Sequence, residues 1–307
     1  MATLRLATRS SALALFQAHA VRDQLLAADP SLSVEILATT TMGDARLDVP
    51  ISALGGQGVF VKEVQQLVLD GRADFAVHSA KDLPSTATPG LTLAAITARG
   101  EVRDALVGRT LAGLGPGATV ACGAPRRRAV LANLRPDLNV VELRGNIATR
   151  VAKSKERGID AVVVALTALE RLGLQHEVAE VLDPEIMVPQ VGQGAFGVEC
   201  RSDDAATSHA LQLVNDPVSR RAVDTERAYL AELGAGCSVP VGAWATVNGQ
   251  EIVLRAMLAS PDGHEILRTT VTGNDPQTLG KLVASQLRDE QGGARIIATW
   301  QRPSSST

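Results

Sequence analysis

Aromatic side chains are scarce in this chain: one tyrosine, two tryptophans and four phenylalanines among 307 residues. Few rings leave few platforms on which unpaired bases could stack. A formal net charge of −3 offers no general attraction for a nucleic-acid backbone either. Long apolar runs are also lacking. No stretch approaches the roughly 20 residues that cross a bilayer, which excludes a transmembrane helix. A hydrophobic share of 45% beside 21% charged residues excludes a disordered chain. The cysteines, Cys122, Cys200 and Cys237, are odd in number and far apart, with no C-x-x-C pair and no histidine at ligand spacing. They predict a reducing, cytoplasmic compartment and no metal site. Neither G-x-x-x-x-G-K-[ST] nor a strand-linked G-x-G-x-x-G occurs, which argues against a phosphate or nucleotide enzyme. The segment SALALFQAHA at 11–20 imitates a secretory signal, but Gln17 breaks its apolar core, and it reads better as part of a strand and helix.

What is present is alternation. Leu4 to Ala7 predicts a buried strand, with Ser10 or Ser11 capping a helix whose apolar positions are Leu13, Phe16, Ala20 and Val21. A strand at 33–38 leads into a loop with Gly43, Gly55, Gly56 and Gly58, then a helix from Val61 to Leu69 that stops at Gly71, then a strand from Phe75 to His78. The pattern restarts after Gly113 to Gly117: strand 119–122, helix from Pro125, strand 139–143, helix after Asn146, strand 161–165. Strands alternating with helices predict parallel α/β sheets, whose ligands gather beyond the carboxyl ends of the strands. After Pro189 a glycine-rich loop precedes a strand and helical stretches near 207–214 and 218–233. Beyond Gly236 short strands at 241–247, 252–258 and 266–271, joined by Asn248-Gly249 and Asp262-Gly263, predict hairpins closed by a helix from Gln277 to Arg288. The tail from Gln301 reads as frayed. The expected limits are 1–98 with 194–216, 99–193, and 217–307.

Between Ala121 and Gly158 nine basic residues face three acids. Arg135, Lys153, Lys155 and Arg157 read as solvated surface. Arg126 and Arg127 differ, because Pro125 favours the first helical position and puts both arginines where the helix dipole opposes cations. Their presence there predicts an anionic ligand, with carboxylates suiting the guanidinium forks. Arg144 and Arg150 bracket Asn146, a second helix cap, and Arg9 opens the first helix in the same manner. Together they predict a polycarboxylate or phosphate between two domains. Asp82, next to Lys81 at the end of a strand, reads either as a surface ion pair or helix cap, or as a carboxylate that accepts from a ligand N–H and stabilises developing positive charge. His78 and Cys200 read as structural. Cys237, in GAGCSVP, sits among small residues that leave room for an adduct, but its surroundings alone do not separate a reactive thiol from an inert one.

The segments ATRSSALALFQAH at 7–19, GGQGVFVKE at 55–63, ADFAVHSAKDLPS at 73–85, LRGNIATR at 143–150, VGQGAFGVECR at 191–201 and GAGCSVPVG at 234–242 resemble the porphobilinogen deaminase family in order and spacing, over essentially the whole chain. The resemblance implies two α/β domains like periplasmic binding proteins around a cleft, with a small α+β domain at the C-terminus. It implies a dipyrromethane cofactor joined by a thioether to Cys237. Four porphobilinogens are then added, each losing ammonia, before linear hydroxymethylbilane is released by hydrolysis. Asp82 matches the catalytic aspartate. Lys81, Arg126, Arg127, Arg144 and Arg150 match the binders of cofactor and chain carboxylates, with Asp82 also at the cofactor. Arg9, Ser11 and Gln193, with Arg144 and Arg150, match positions near the incoming substrate. The implied enzyme is monomeric, with porphobilinogen as its partner and no nucleic acid, membrane or metal.

Two departures stand out. The family's G-T-S-S-x-R-R is here ACGAPRR, so hydroxyl positions are lost, Cys122 and Ala124 among them, and Gln57 replaces a residue often basic. A non-catalytic anion-binding homologue is the competing reading; retention of Asp82 and Cys237 together argues against it.

Overall fold

The computed structural model describes residues 3–40, 61–236 and 239–300. The glycine-rich loop with Gln57, Cys237 and the tail from Gln301 lie outside the described residues. The first sheet takes β1 (Thr3–Arg9), β2 (Ser33–Thr39), β3 (Phe75–Ser79), β4 (Leu91–Ile96) and β10 (Phe196–Arg201) in the order β2-β1-β3-β10-β4. The second takes β5 (Asp104–Gly108), β6 (Thr119–Cys122), β7 (Asn139–Glu142), β8 (Ala161–Ala165) and β9 (Val178–Val181) in the order β7-β6-β8-β5-β9. The expected parallel sheets are thus mixed: β10 runs antiparallel to β3 and β4, and β5 antiparallel to β8 and β9. The strands that reverse direction are those on which the chain enters a sheet from the other one.

Those two passages lie side by side. The Gly100 N–H donates to Gly194 O at 3.1 Å, the Thr97 N–H to Phe196 O at 3.2 Å, and Arg99 Nε to Gln193 O at 2.8 Å. Gly194 is required here, because its φ is +94° and a Cβ would stand 2.7 Å from the Gly100 carbonyl oxygen.

Helix α1 (Ala12–Ala28) packs Ala14, Ala18, Val21 and Leu25 inward, whereas Phe16, expected on the apolar face, is 41% exposed. Small side chains at Ala14 and Ala18 bring the helix close to the sheet, and the bulkier phenylalanine is turned out. Among the described residues the further helices are α2 (Lys62–Leu69), α3 (Pro125–Leu134), α4 (Ile147–Lys153), α5 (Leu166–Arg171), α6 (Ala205–Leu211), α7 (Pro217–Glu232), α8 (Pro276–Ser285) and α9 (Gly293–Trp300). The helix expected to reach Arg288 gives way after Ser285 to a π turn, Gln286–Glu290. A third, antiparallel sheet, β11 (Val241–Asn248), β12 (Glu251–Ala259) and β13 (Ile266–Gly273), carries both expected hairpins and shares an apolar core with α7 and α8. Its β12–β13 turn docks on α3. Asn133 Nδ2 donates to Gly263 O at 2.9 Å, and Gly263, at φ +77°, lies so close to the Ala129 carbonyl that no side chain fits. Among the described residues no helix is long and apolar enough to cross a membrane.

Candidate functional site

The carboxyl ends of β1 and β3 build one wall. β1 ends at Arg9, and the Ser11 hydroxyl caps α1 by accepting from the Ala14 N–H at 3.4 Å. β3 ends at Ser79, and the chain tightens into a 3₁₀ turn, Ala80–Asp82. Arg9, Ser11, Gln17, His78, Ser79 and Asp82 line one cavity. Gln17 is not among the residues the sequence singles out for the site; it is 2% exposed and its Nε2 donates to Ser79 Oγ at 2.7 Å. Its signal is a polar residue inside an otherwise apolar helical run. His78 borders the cavity and places Nε2 3.4 Å from Glu199 Oε2. Burial alone would raise the Glu199 carboxyl, but His78 and Gln65 outweigh it and hold it below the ordinary glutamate range.

The other wall comes from β6, α3, β7 and α4. Pro125 occupies the first turn of α3 as expected, and Ala124 precedes it without a side-chain cap. Arg126 and Arg127 follow, turned inward. Arg126 is 1% exposed; its Nη1 donates to Val188 O at 2.6 Å and its Nη2 to Asp104 Oδ2 at 2.7 Å. Arg127 donates through Nη1 to Val163 O at 3.2 Å and through Nη2 to Asp104 Oδ1 at 2.7 Å. The Nε atoms of both are buried with no partner. Asn146 caps α4, accepting from the Thr149 N–H at 2.9 Å, and Arg150 Nε donates to Gly145 O at 2.7 Å. Burial, aided by the charge of Arg127, brings Arg150 down to about 10, which leaves it cationic at neutral pH.

Asp104, absent from the sequence-based candidates, sits at the centre of this wall with no exposed surface. Burial by itself would favour the protonated acid, but the two guanidiniums more than offset it and hold the carboxyl well below the usual range. The signal for it is an acid opening the apolar run ALVG at 105–108.

Gln193 joins the walls. Lys81 Nζ donates to its Oε1 at 3.1 Å, and its Nε2 donates to Val102 O at 2.7 Å and to Asp104 Oδ1 at 2.8 Å. Expected beside an incoming substrate, Gln193 is fully buried, and its amide is engaged by protein groups. Burial pushes Lys81 down to about 8 against the pull of Asp82. The electrostatic neighbours of Lys81 include Asp82, Arg127, Asp104 and Arg150, so the two walls share one field.

Cys122 ends β6 fully buried, and burial pushes its thiol up to about 11, so it is a neutral group at physiological pH. Cys200 is buried in β10. Cys237 lies outside the described residues, but the strand that follows it runs along the arginine wall: a Cβ on Gly242 would stand 2.9 Å from Arg126 Cδ, and the Ala243 N–H donates to Pro189 O at 3.0 Å. Lys153 and Lys155 make surface pairs with Glu156 and Glu177. Among the described residues no group of three or more His, Cys, Asp or Glu side chains is placed to hold a metal ion.

One wall therefore offers a carboxylate in a cavity, and the other offers cations and an uncapped helix start. The arrangement suits a ligand with several carboxylates and a centre that becomes positive. Comparison with known proteins points the same way. A family model described as "Porphobilinogen deaminase, dipyromethane cofactor binding domain" matches residues 4–209, and one described as "Porphobilinogen deaminase, C-terminal domain" matches residues 221–289. The chain is 45% identical over 300 residues to the porphobilinogen deaminase of Roseiflexus castenholzii, covering 96% of this chain and 99% of that one. It is 46% identical over 301 residues to that of Roseiflexus sp. strain RS-1, covering 96% and 99%. Among solved structures, the methionine-binding protein MetQ overlaps 71% of this chain and 92% of its own, with a TM-score of 0.46 and 14% identity.

Proposed function

The chain belongs to the porphobilinogen deaminase family, and from that premise we propose which of its residues perform the reaction. The reaction is that of hydroxymethylbilane synthase, a transferase of tetrapyrrole synthesis. Asp82 is the proposed catalytic carboxylate. Arg9 and Ser11, in the same cavity, hold the carboxylates of an incoming porphobilinogen. The observation that carries this reading is the placement of Asp82 in a cavity with Arg9 and Ser11, while its neighbour Lys81 bonds through Gln193 to the arginine wall.

The residues fit a dipyrromethane rich in carboxylates. The buried, unpartnered Nε–H groups of Arg126 and Arg127 are unused donors in a region that excludes water, and the first N–H groups of α3 have no side-chain cap. Lys81, Asp82, Arg126, Arg127, Arg144 and Arg150 would hold the group, with the covalent bond to Cys237. When bound, the dipyrromethane supplies the pyrrole carbon to which units are added. Arg126 contributes charge and support more than a free fork, since both of its terminal nitrogens are engaged. Arg144 and Arg150 also receive substrate carboxylates. Gln193 serves this site as a tie between its walls.

As ammonia leaves porphobilinogen, positive charge spreads over the pyrrole. A fixed carboxylate at Asp82 accepts the ring N–H and stabilises that charge, an effect worth roughly 10²–10³ in rate for a preorganised group. We assign residues 1–98 with 194–216, 99–193 and 217–307 to three domains of a cytoplasmic monomer that needs no metal, membrane or nucleic acid. The test is the intact mass of freshly expressed protein against Cys237→Ser. An adduct of two deaminated porphobilinogen units on the wild type alone is expected. A wild type that stays unmodified after incubation with porphobilinogen would overturn the assignment in favour of an anion-binding homologue.

A further inference from the structure

We propose that Asp104 is a positioning residue for the reaction: it fixes the guanidiniums of Arg126 and Arg127, whose charge draws carboxylates to this wall, and, through Gln193, sets the placement of Lys81 beside Asp82. This rests on the assignment of the cleft as the site of the cofactor and the growing chain.

A carboxylate is expensive to bury unless its lone pairs are met by well-aligned donors. Asp104 has no exposed surface and receives Arg126 Nη2 and Arg127 Nη2 at 2.7 Å each and Gln193 Nε2 at 2.8 Å. One carboxylate against two guanidiniums leaves the node positive, so it remains attractive to an anion. Binding one terminal nitrogen of each arginine stops the two like charges from swinging apart, and it leaves both Nε–H groups without a partner. Both are buried with their guanidiniums, so the pair acts on an anion through fixed positive charge. Without Asp104 the guanidiniums repel each other and lose their common anchor. Preorganised forks of this kind lose affinity when their orientation is lost, even though every charge stays.

The second arm reaches the chemistry. Gln193 uses its two amide ends oppositely, donating to Asp104 and accepting from Lys81, so an acid of the second sheet orders a cation of the first. The groups that face Lys81 are Asp82 and Asp104, which favour its charged form, and Arg127 and Arg150, which oppose it. Removing the charge of Asp104 makes the ammonium easier to deprotonate. A residue that only filled space would leave that equilibrium alone.

The experiment compares wild type, Asp104→Asn, Asp104→Glu and Gln193→Leu, each checked for a cooperative unfolding transition. Two readouts are taken: dipyrromethane occupancy by intact mass, and the pH profile of kcat/KM for porphobilinogen. In Asp104→Asn, occupancy is expected to fall roughly tenfold or more, the scale of losing one charge-assisted hydrogen bond. The alkaline limb is expected to move to lower pH. Asp104→Glu should restore part of both. Gln193→Leu, which keeps the Asp104–arginine bonds, should keep its occupancy and shift the limb in the same direction; it decides the matter if Asp104→Asn fails to fold. Full occupancy with an unmoved limb in the folded variants would overturn the proposal. Lowered occupancy with an unmoved limb would overturn the tie to Lys81, leaving Asp104 as a support for the arginines alone. A wild type without any adduct would instead defeat the assignment of the site, whatever Asp104 does.

Discussion

The two walls of the cleft are built alike and charged differently. Each is the carboxyl edge of a five-stranded sheet, with order β2-β1-β3-β10-β4 in one and β7-β6-β8-β5-β9 in the other. In the first, the helix start is closed by the Ser11 hydroxyl and the cavity holds one acid, Asp82. In the second, α3 starts at Ala124 with no side-chain cap, two arginines fill the turn, and a buried acid restrains them. One scaffold geometry thus serves two tasks. The wall proposed to stabilise a cation sets one carboxylate, Asp82, beside Arg9 and Lys81, and the wall proposed to collect carboxylates gathers Arg126, Arg127 and Arg150 with one buried acid.

Breaking the second wall should produce the largest effect. Arg126→Leu leaves Asp104 half-paired and buried, which is expected to cost about 3–5 kcal/mol of stability. Chemical denaturation with an unchanged m-value would measure it; a loss under about 1 kcal/mol would mean that the wall is not held by this node. Breaking the first wall should act on rate instead. Asp82→Asn keeps the shape of the turn and is expected to lower kcat by roughly 10²–10³ with KM little changed. Single-turnover measurements separate the two parameters, and a loss confined to KM would make Asp82 a binding group only.

The contrast between the walls is only partly legible in the amino-acid sequence. Strand and helix boundaries around Thr119–Cys122, Pro125, Asn146 and Ala161–Ala165 follow from apolar runs and caps, which are local signals. So do the hairpin turns at Asn248-Gly249 and Asp262-Gly263, where glycine takes φ of +56° and +77°. The direction of β5 and β10 is not legible, because it is fixed by a passage between sheets far apart in sequence. Asp104 and Gln17 each show in the sequence only as a polar residue beside apolar ones; their place in the site depends on partners 22 and 62 positions away, which no local pattern reveals. Gln193 is expected at the substrate through the family resemblance; its bonds to Lys81 and Asp104, 112 and 89 positions away, are not legible in any local pattern. Phe16 misleads through its hydrophobicity, which the close packing of Ala14 and Ala18 overrides.

A smaller effect sharpens the comparison through pH. Folded Lys81 gives up its proton near pH 8, while an unfolded lysine keeps it to about 10.5. As pH rises through about 8 in protein without bound ligand, affinity for a tricarboxylate probe is expected to weaken, measured by calorimetry. Stability takes the opposite sign. Between those two pKa values the unfolded chain binds more protons, so the contribution of Lys81 becomes more favourable as pH rises. A probe affinity that does not change across pH 8 would assign the anion contact to the arginines alone.

The smallest effects concern the two helix starts, and they should run in opposite directions. Ser11 accepts from the Ala14 N–H at 3.4 Å, a long hydrogen bond, so Ser11→Ala is expected to cost only about 0.5 kcal/mol, the low end for a lost cap. Because that hydroxyl also faces the cavity of Asp82, KM for porphobilinogen should rise while kcat holds. Ala124→Ser adds the missing acceptor at α3, where it can take an N–H of the first turn, and is expected to gain about 1 kcal/mol. The gain should show in protein whose Cys237 has been changed to serine, so that no adduct contributes. If Ala124→Ser instead leaves stability unchanged, those N–H groups are already satisfied, and the second wall does not depend on a ligand to complete its helix start.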